Sequence, residues 1–278
     1  MLGLAILNFL VFYVYANGSA FVLPFLSEDT NRFTLENFRN VFADIAVPGS
    51  RLLIALRNTL IYYFVNLLVI LPFSLFGAYF IMKKILGHKF FTVIFMIPMI
   101  VSTVVLVAVY KNMLGAGGPI SVLYELFGKE APFFLYQEET ATLMIVIFSV
   151  WTGFGLQLIM FSGAMSRIPD SVQEYGRLEG IGFMQELWTV VLPMVWPTFS
   201  TILMLSSIGM FSASGPVLLF SDGLYNTQTI SFEIYSTTVV SGKFNYAAAF
   251  GLLLTVASLP MFFLITYLRN RVPSDVEY

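Results

Sequence analysis

The sequence contains no cysteine and only one histidine, His88. Without a thiol, the chain forms no disulfide, no thiolate metal site and no cysteine nucleophile. A single imidazole also excludes a metal cluster built from several histidines. The phosphate-binding pattern Gly-x-x-x-x-Gly-Lys-Ser/Thr does not occur, so no nucleotide site of that kind is expected. These absences predict no catalytic residue, no metal and no cofactor bound by this chain.

Charged residues are also scarce. They make up 11% of the chain, whereas soluble domains carry about 25%. The net charge of −2 gives no basic surface for nucleic acid, so no nucleic-acid partner is expected. Hydrophobic residues account for 58% of the sequence and the mean hydropathy is +0.84. Too few charges are present to cover a water-soluble surface, so most of the surface is expected to face lipid.

Six apolar stretches are long enough to cross a membrane as helices, which takes about 20 residues each. The first lacks the basic start and small-residue cleavage site of a signal peptide, so we interpret it as a spanning helix. The length leaves no room for a sizeable soluble domain. The sequence therefore predicts one all-α transmembrane domain over residues 1–278, with spans at about 3–26, 53–82, 90–110, 140–164, 193–220 and 246–268.

The placement of Lys and Arg indicates the orientation. If both termini are cytoplasmic, seven basic residues lie inside and seven outside. The inside segments are shorter, so their density of positive charge is higher. We therefore expect both termini to be cytoplasmic.

The segment 166–192, between the fourth and fifth spans, has a distinctive pattern. Pro169 and Asp170 suit the start of a helix, and Gly180 and Gly182 suit its end. A second amphipathic stretch, about 183–190, precedes Pro193, where the next span is expected to open. The segment thus predicts a compact cytoplasmic helix, a glycine turn and a second helix.

The spacing in this segment resembles the E-A-A-x3-G-x9-I-x-L-P signature of permease subunits of binding-protein-dependent ABC importers. Glu174 takes the Glu position and Gly180 the Gly position six residues later. Val190, Leu192 and Pro193 take the I-x-L-P positions. Both alanines of the signature are replaced, by Tyr175 and Gly176. The carbohydrate branch of the family is most similar, and Arg57-Asn58-Thr59 is among the further similar features along most of the chain.

This resemblance implies a coupling helix that docks on a separate ATPase subunit. The residues that it assigns to this contact are Glu174, Tyr175, Gly176, Arg177, Leu178, Glu179, Gly180, Ile181, Gly182, Leu192 and Pro193. It also implies a second, similar permease, a pair of ATPase subunits that hold ATP and Mg, and an extracytoplasmic solute-binding protein. The location implied is the plasma membrane of a bacterium or archaeon.

Polar side chains in the fourth and fifth spans are candidates for a solute path. Ser200, Ser207 and Ser214 recur every seven residues, which favours either a polar path along a partly broken helix or close helix packing. Gln157 needs a hydrogen-bonding partner, and Trp151 suits either sugar stacking or packing. The candidate path residues are Trp151, Gln157, Ser207, Phe211, Ser212 and Ser214.

The spans contain no charged residue away from their ends. Ion-coupled carriers often use a buried charge, so this absence favours energy supplied by another subunit and an uncharged solute. The resemblance implies a sugar, an oligosaccharide or a polyol. The alternatives are the same machinery with another polar solute, such as a glycerol phosphate ester, or an ion-coupled secondary transporter. A charged solute would require a cationic cavity, which the partner permease would then have to supply.

Overall fold

The computed structural model describes residues 2–271, except for the side chains of Leu2, Asp170, Gln173, Tyr175 and Arg177. Within these residues most of the chain is helical, and strand pairing is limited to one bridge between Leu26 and Phe33. In chain order the helices are α1 (Gly3–Phe25), α2 (Glu36–Ala46), α3 (Arg51–Met82), α4 (His88–Ile100), α5 (Thr103–Leu114), α6 (Pro119–Leu126), α7 (Ala141–Met165), α8 (Asp170–Leu178), α9 (Phe183–Ile208), α10 (Val217–Phe220), α11 (Ile230–Tyr235) and α12 (Phe244–Arg271).

Six helical stretches are long and apolar enough to cross a membrane: α1, α3, Thr103–Leu126, α7, α9 and α12. The predicted class, an all-α membrane protein with about six spanning helices, is confirmed. Four predicted spans, 3–26, 53–82, 140–164 and 246–268, coincide within a few residues with α1, α3, α7 and α12.

The predicted third span, 90–110, is wrong as a single helix. The helix α4 ends at Ile100, and α5 begins at Thr103. Val101 and Ser102 between them have extended backbone, with ψ of 140° and 134°. Pro98 lies inside α4 and does not mark the break.

The predicted fifth span, 193–220, is shifted. The helix α9 begins at Phe183 and ends at Ile208, so Pro193 lies inside it. A π-helical turn, Leu187–Val191, precedes this proline, and a matching turn, Asn66–Ile70, precedes Pro72 in α3. Proline has no N–H to donate, and the wider turn accommodates the missing bond without ending the helix.

The buried core consists of three clusters of side chains, one that we call the inner cluster and two that we call outer clusters. The inner cluster joins α3, α7 and α9 through buried side chains such as Leu75, Phe161 and Val191. One outer cluster lies around Tyr110 and Phe148, and the other joins α2, α3 and α12. A Cβ on Gly153 would lie 2.8 Å from Ile70 Cδ1, so this glycine allows α3 and α7 to approach closely.

Candidate functional site

The segment after α7 forms the predicted short helix, α8, with a glycine cap. Gly180 has φ of +68°, in the left-handed region that favours glycine. The Ile181 N–H donates to the Gly176 carbonyl oxygen at 3.0 Å. This six-to-one bond is the Schellman motif, which fixes the direction in which the chain leaves a helix. The predicted helix and its glycine stop are confirmed, with the last helical residue at Leu178.

The surface of α8 offers both apolar and acidic groups. The Leu178 side chain is 83% exposed, and Glu174 and Glu179 are exposed as well. A Cβ on the buried Gly176 would lie 4.0 Å from Ile181 Cδ1, so the alanine of the family signature would fit there. The side chains of Tyr175 and Arg177, which were also assigned to this contact, lie outside the described residues. The described groups can meet a partner protein through an apolar contact with acidic neighbours.

The remaining assigned residues connect α8 to the bundle. Gly182 is extended, with φ of −69° and ψ of 154°, and α9 begins directly after it. Leu192 packs against the inner cluster, whereas Pro193 is exposed on the side of α9. These two residues therefore belong to a spanning helix and not to the loop that carries α8.

The sequence did not reveal that Glu186 is buried. Its Oε1 lies 2.5 Å from Lys83 Nζ at the C-terminal end of α3, and its Oε2 accepts a hydrogen bond from Tyr79 Oη at 3.0 Å. In the sequence, Glu186 and Lys83 look like ordinary charges of two separate loops. Burial of the glutamate beside a lysine distant in sequence is decided by helix packing, which no local pattern reports.

A cavity of about 530 Å³ opens between the breaks in two helices. One break is at Val101–Ser102, between α4 and α5. The other runs from Gly209 to Pro216, between α9 and α10. The central parts of α3 and α7 form the other walls. The polar residues along the cavity are Tyr62, Tyr63, Asn66, Thr103, Ser149, Thr152, Ser206, Ser212 and Ser214.

Two hydroxyl groups at this cavity have no hydrogen-bond partner among the described residues. They are the phenols of Tyr62 and Tyr63, and both atoms are buried. Buried polar atoms are nearly always hydrogen-bonded, so these phenols require a hydrogen-bond partner that none of the described residues supplies. None of the described residues that line the cavity is charged. Nor do the described residues contain a group of acidic, His or Cys side chains that could hold a metal.

The structure separates the predicted path residues. Ser212 and Ser214 line the cavity. Ser207 is buried and donates to the Leu203 carbonyl oxygen of its own helix at 2.8 Å. Ser207 and Ser214, which recur seven residues apart, do not lie on one helix face, because α9 ends between them.

The other three predicted path residues do not line the cavity. Gln157 has the partner that it was expected to need, since its Nε2 donates to Asn66 Oδ1 at 3.3 Å. Trp151 lies edge-on to Phe148, with ring centroids 5.9 Å apart. Phe211 packs against the outer cluster that joins α2, α3 and α12.

The loop between α10 and α11 is held by α3. Asn58 Nδ2 donates to the carbonyl oxygens of Asn226 and Gln228, at 2.7 and 2.9 Å. Thr59 Oγ1 accepts from the Ile230 N–H at 2.9 Å, at the start of α11. Asn58 and Thr59, two residues of the Arg57-Asn58-Thr59 triplet noted above as a feature shared with the family, thus have a physical role: they fix the chain at the start of α11 against α3.

Sequence comparison finds relatives of this chain among transport permeases. The chain is 27% identical to the probable ABC transporter permease protein YesP of Bacillus subtilis, over 88% of this chain and 81% of that protein. It is 26% identical to the arabinooligosaccharides transport system permease protein AraP of the same organism, over 91% of this chain and 82% of that protein.

A solved structure has a similar fold over nearly the whole chain. It is the crystal structure of a bacterial ABC transporter involved in the import of the acidic polysaccharide alginate. The TM-score is 0.84 and the sequence identity 20%, over 98% of this chain and 94% of that one. A second structure of the alginate transporter, in complex with an alginate pentasaccharide-bound periplasmic protein, gives a TM-score of 0.82, with 20% identity over 98% of this chain and 93% of that one.

The family assignment comes from residues 55–273, which match the family described as the binding-protein-dependent transport system inner membrane component. This range begins in α3 and ends just beyond α12, so it includes the cavity, α8 and the whole of α9. The chain is a multi-pass membrane protein and belongs to this family of ABC transporter permeases.

Proposed function

We propose that this chain is one permease subunit of an ATP-driven importer, and that it passes an uncharged sugar or oligosaccharide across the plasma membrane of a bacterium or archaeon. A second permease, similar to this chain but different from it, completes the pathway. Two ATPase subunits bind the cytoplasmic side and hold ATP and Mg. An extracytoplasmic binding protein delivers the solute. Both termini of this chain are cytoplasmic.

The surface of α8 carries the ATPase-docking part of the proposal. Its Schellman cap makes a rigid projection, and Leu178 at its end is an exposed apolar side chain in a loop that should face water. Charge pairs at the rim of a contact contribute only about 0–1 kcal/mol each. Glu174 and Glu179 therefore orient the contact, while Leu178 and Ile181 supply most of the docking free energy.

The solute class is inferred from the cavity. Its lining combines hydroxyls, one amide and aromatic rings, which suit the hydroxyls and the apolar faces of a sugar ring. The absence of a charged group among the described lining residues favours an uncharged sugar over a glycerol phosphate ester, which would need a cation. The transport of arabinooligosaccharides named for AraP is consistent with this class.

The exposed length of α1 is consistent with a second permease. From Gly3 to Val22 none of its residues is buried, whereas Pro24 near its C-terminal end is buried and this end contacts α12. Lipid and a partner permease can both cover such a surface. We include the partner because one chain encloses only part of a transport pathway in the proposed machinery.

Co-purification with the candidate ATPase tests the proposal. Leu178→Glu places a charge at the centre of the proposed contact, so we expect the ATPase to be lost while the permease stays in the membrane. Leu86→Glu is the matched control. Leu86 is 95% exposed in the loop between α3 and α4. This loop lies at the same end of the bundle as α8, because Lys83 before it pairs with Glu186 at the start of α9. Leu86→Glu should retain the ATPase. If Leu178→Glu retains it equally well, α8 is not the docking element and the ATPase-docking part of the proposal is wrong.

A further inference from the structure

A buried ion pair joins the inner end of α3 to the start of α9. The Lys83 and Glu186 side chains are 11% and 9% exposed, and their charged atoms are 2.5 Å apart. The Tyr79 hydroxyl lies 3.0 Å from Glu186 Oε2 and 3.1 Å from the Phe183 carbonyl oxygen. The rings of Tyr79 and Phe183 are in contact, with centroids 4.5 Å apart. We call these four residues the inner clamp.

Stability alone does not account for the ion pair. Desolvation of two charges often cancels their attraction, so packed apolar residues would serve stability about as well. A paired charge differs from apolar packing because it holds one register between two helices, and sliding one helix along the other would leave a buried charge unpaired. The inner clamp therefore resists relative movement of α3 and α9.

The position of the inner clamp connects two places that the proposed function requires to move together. On one side, Phe183 directly follows Gly182, so the clamp lies at the base of the α8 loop. On the other side, α3 and α9 continue to the cavity, where Tyr62 and Asn66 of α3 and Ser206 of α9 form part of the wall.

We propose, on the basis of the proposed function, that Lys83 and Glu186 are positioning residues for coupling. They bind α3 to α9 so that a displacement of α8 by the ATPase moves both walls of the cavity together. Without the ion pair, α9 would follow the loop while α3 lagged behind. ATP hydrolysis would then continue with less solute moved per cycle.

The test uses the complete transporter, reconstituted in vesicles with its binding protein, and measures solute uptake per ATP hydrolysed. Lys83→Met and Glu186→Gln should each lower this ratio by about fivefold or more, the lower end of typical coupling between sites. The double exchange Lys83→Glu with Glu186→Lys should restore most of it. Lys84→Met is the matched control, because Lys84 is an exposed neighbour in the same loop, and the ratio should not change.

A proportional fall in uptake and ATP hydrolysis would contradict the proposal, since it would show a purely structural role. If Lys83→Met fails to assemble, Glu186→Gln decides, because it removes the negative charge and keeps the size and shape of the side chain. An unchanged ratio in Glu186→Gln would then overturn the proposal. Failure of the proposed function would differ from either result, because the wild-type chain itself would support no ATP-dependent uptake.

Discussion

At the scale of single residues, Gly180 decides how the proposed docking helix ends. Its φ of +68° disfavours a side chain, although a Cβ would meet no atom within 4 Å. The cost of Gly180→Ala is therefore conformational, about 1–2 kcal/mol. We expect hydrogen exchange at the Ile181 amide to accelerate by about fivefold or more, since 1.4 kcal/mol corresponds to a factor of ten.

Two variants control for the effect at Gly180. Gly180→Asn should recover part of the protection, because asparagine tolerates the left-handed region better than alanine does. Gly182→Ala should leave exchange unchanged, since Gly182 has φ of −69° and open space around it. Equal acceleration in Gly180→Ala and Gly182→Ala would mean that the cap does not depend on the left-handed backbone.

Single residues also show which features could be predicted from the sequence and which could not. The stop at Gly180 was predictable, because a glycine after an amphipathic stretch marks a helix end by local conformation alone. The burial of Glu186 was not, because its partner Lys83 lies 103 positions away. Similarly, Gln157 was expected to need a partner, but only the packing of α3 against α7 identifies Asn66 as that partner.

At the scale of helices, α3 holds the loop between α10 and α11 through Asn58. Asn58→Ala would leave the Gln228 carbonyl oxygen without this donor, whereas the Asn226 carbonyl oxygen keeps the Thr142 hydroxyl at 3.2 Å. An unsatisfied buried group costs about 1–3 kcal/mol. We expect the melting temperature of the detergent-solubilised permease to fall by several degrees, at about 2–4 °C per kcal/mol.

Asn17→Ala is the matched control for this element. Asn17 also lies in a spanning helix and donates to a backbone carbonyl, that of Tyr13, but it is exposed and bonds within its own helix. Its replacement should change stability by no more than about 0.5 kcal/mol. A comparable loss in Asn17→Ala and Asn58→Ala would show that the bonds to the loop between α10 and α11 add nothing to stability.

Helix identity was more predictable than helix continuity. Hydropathy located α1, α3, α7 and α12 within a few residues, because a membrane-spanning helix must bury a long apolar stretch in lipid. The break at Val101–Ser102 carries no glycine or proline, so no local signal marks it. At Pro193 the sequence predicted the start of a helix, but α9 continues through this residue because a π-helical turn precedes it. Both differences bear on function, because the breaks form the cavity and the continuous α9 links it to the α8 loop.

At the scale of the whole molecule, an uncharged cavity wall predicts selectivity that the binding protein alone does not provide. A carboxylate in this cavity would exchange water for hydroxyls and aromatic rings, and several kcal/mol is a typical penalty for an unpaired buried ion. We therefore expect the complete transporter to take up neutral oligosaccharides and to discriminate against acidic oligosaccharides of equal length. The discrimination in uptake should exceed the discrimination in binding to the isolated binding protein by about tenfold, or 1.4 kcal/mol. Measuring both ratios with the same pair of sugars separates the cavity from the binding protein. Equal ratios would show that the cavity does not select by charge, and that the second permease supplies the missing cation or the solute bypasses this wall.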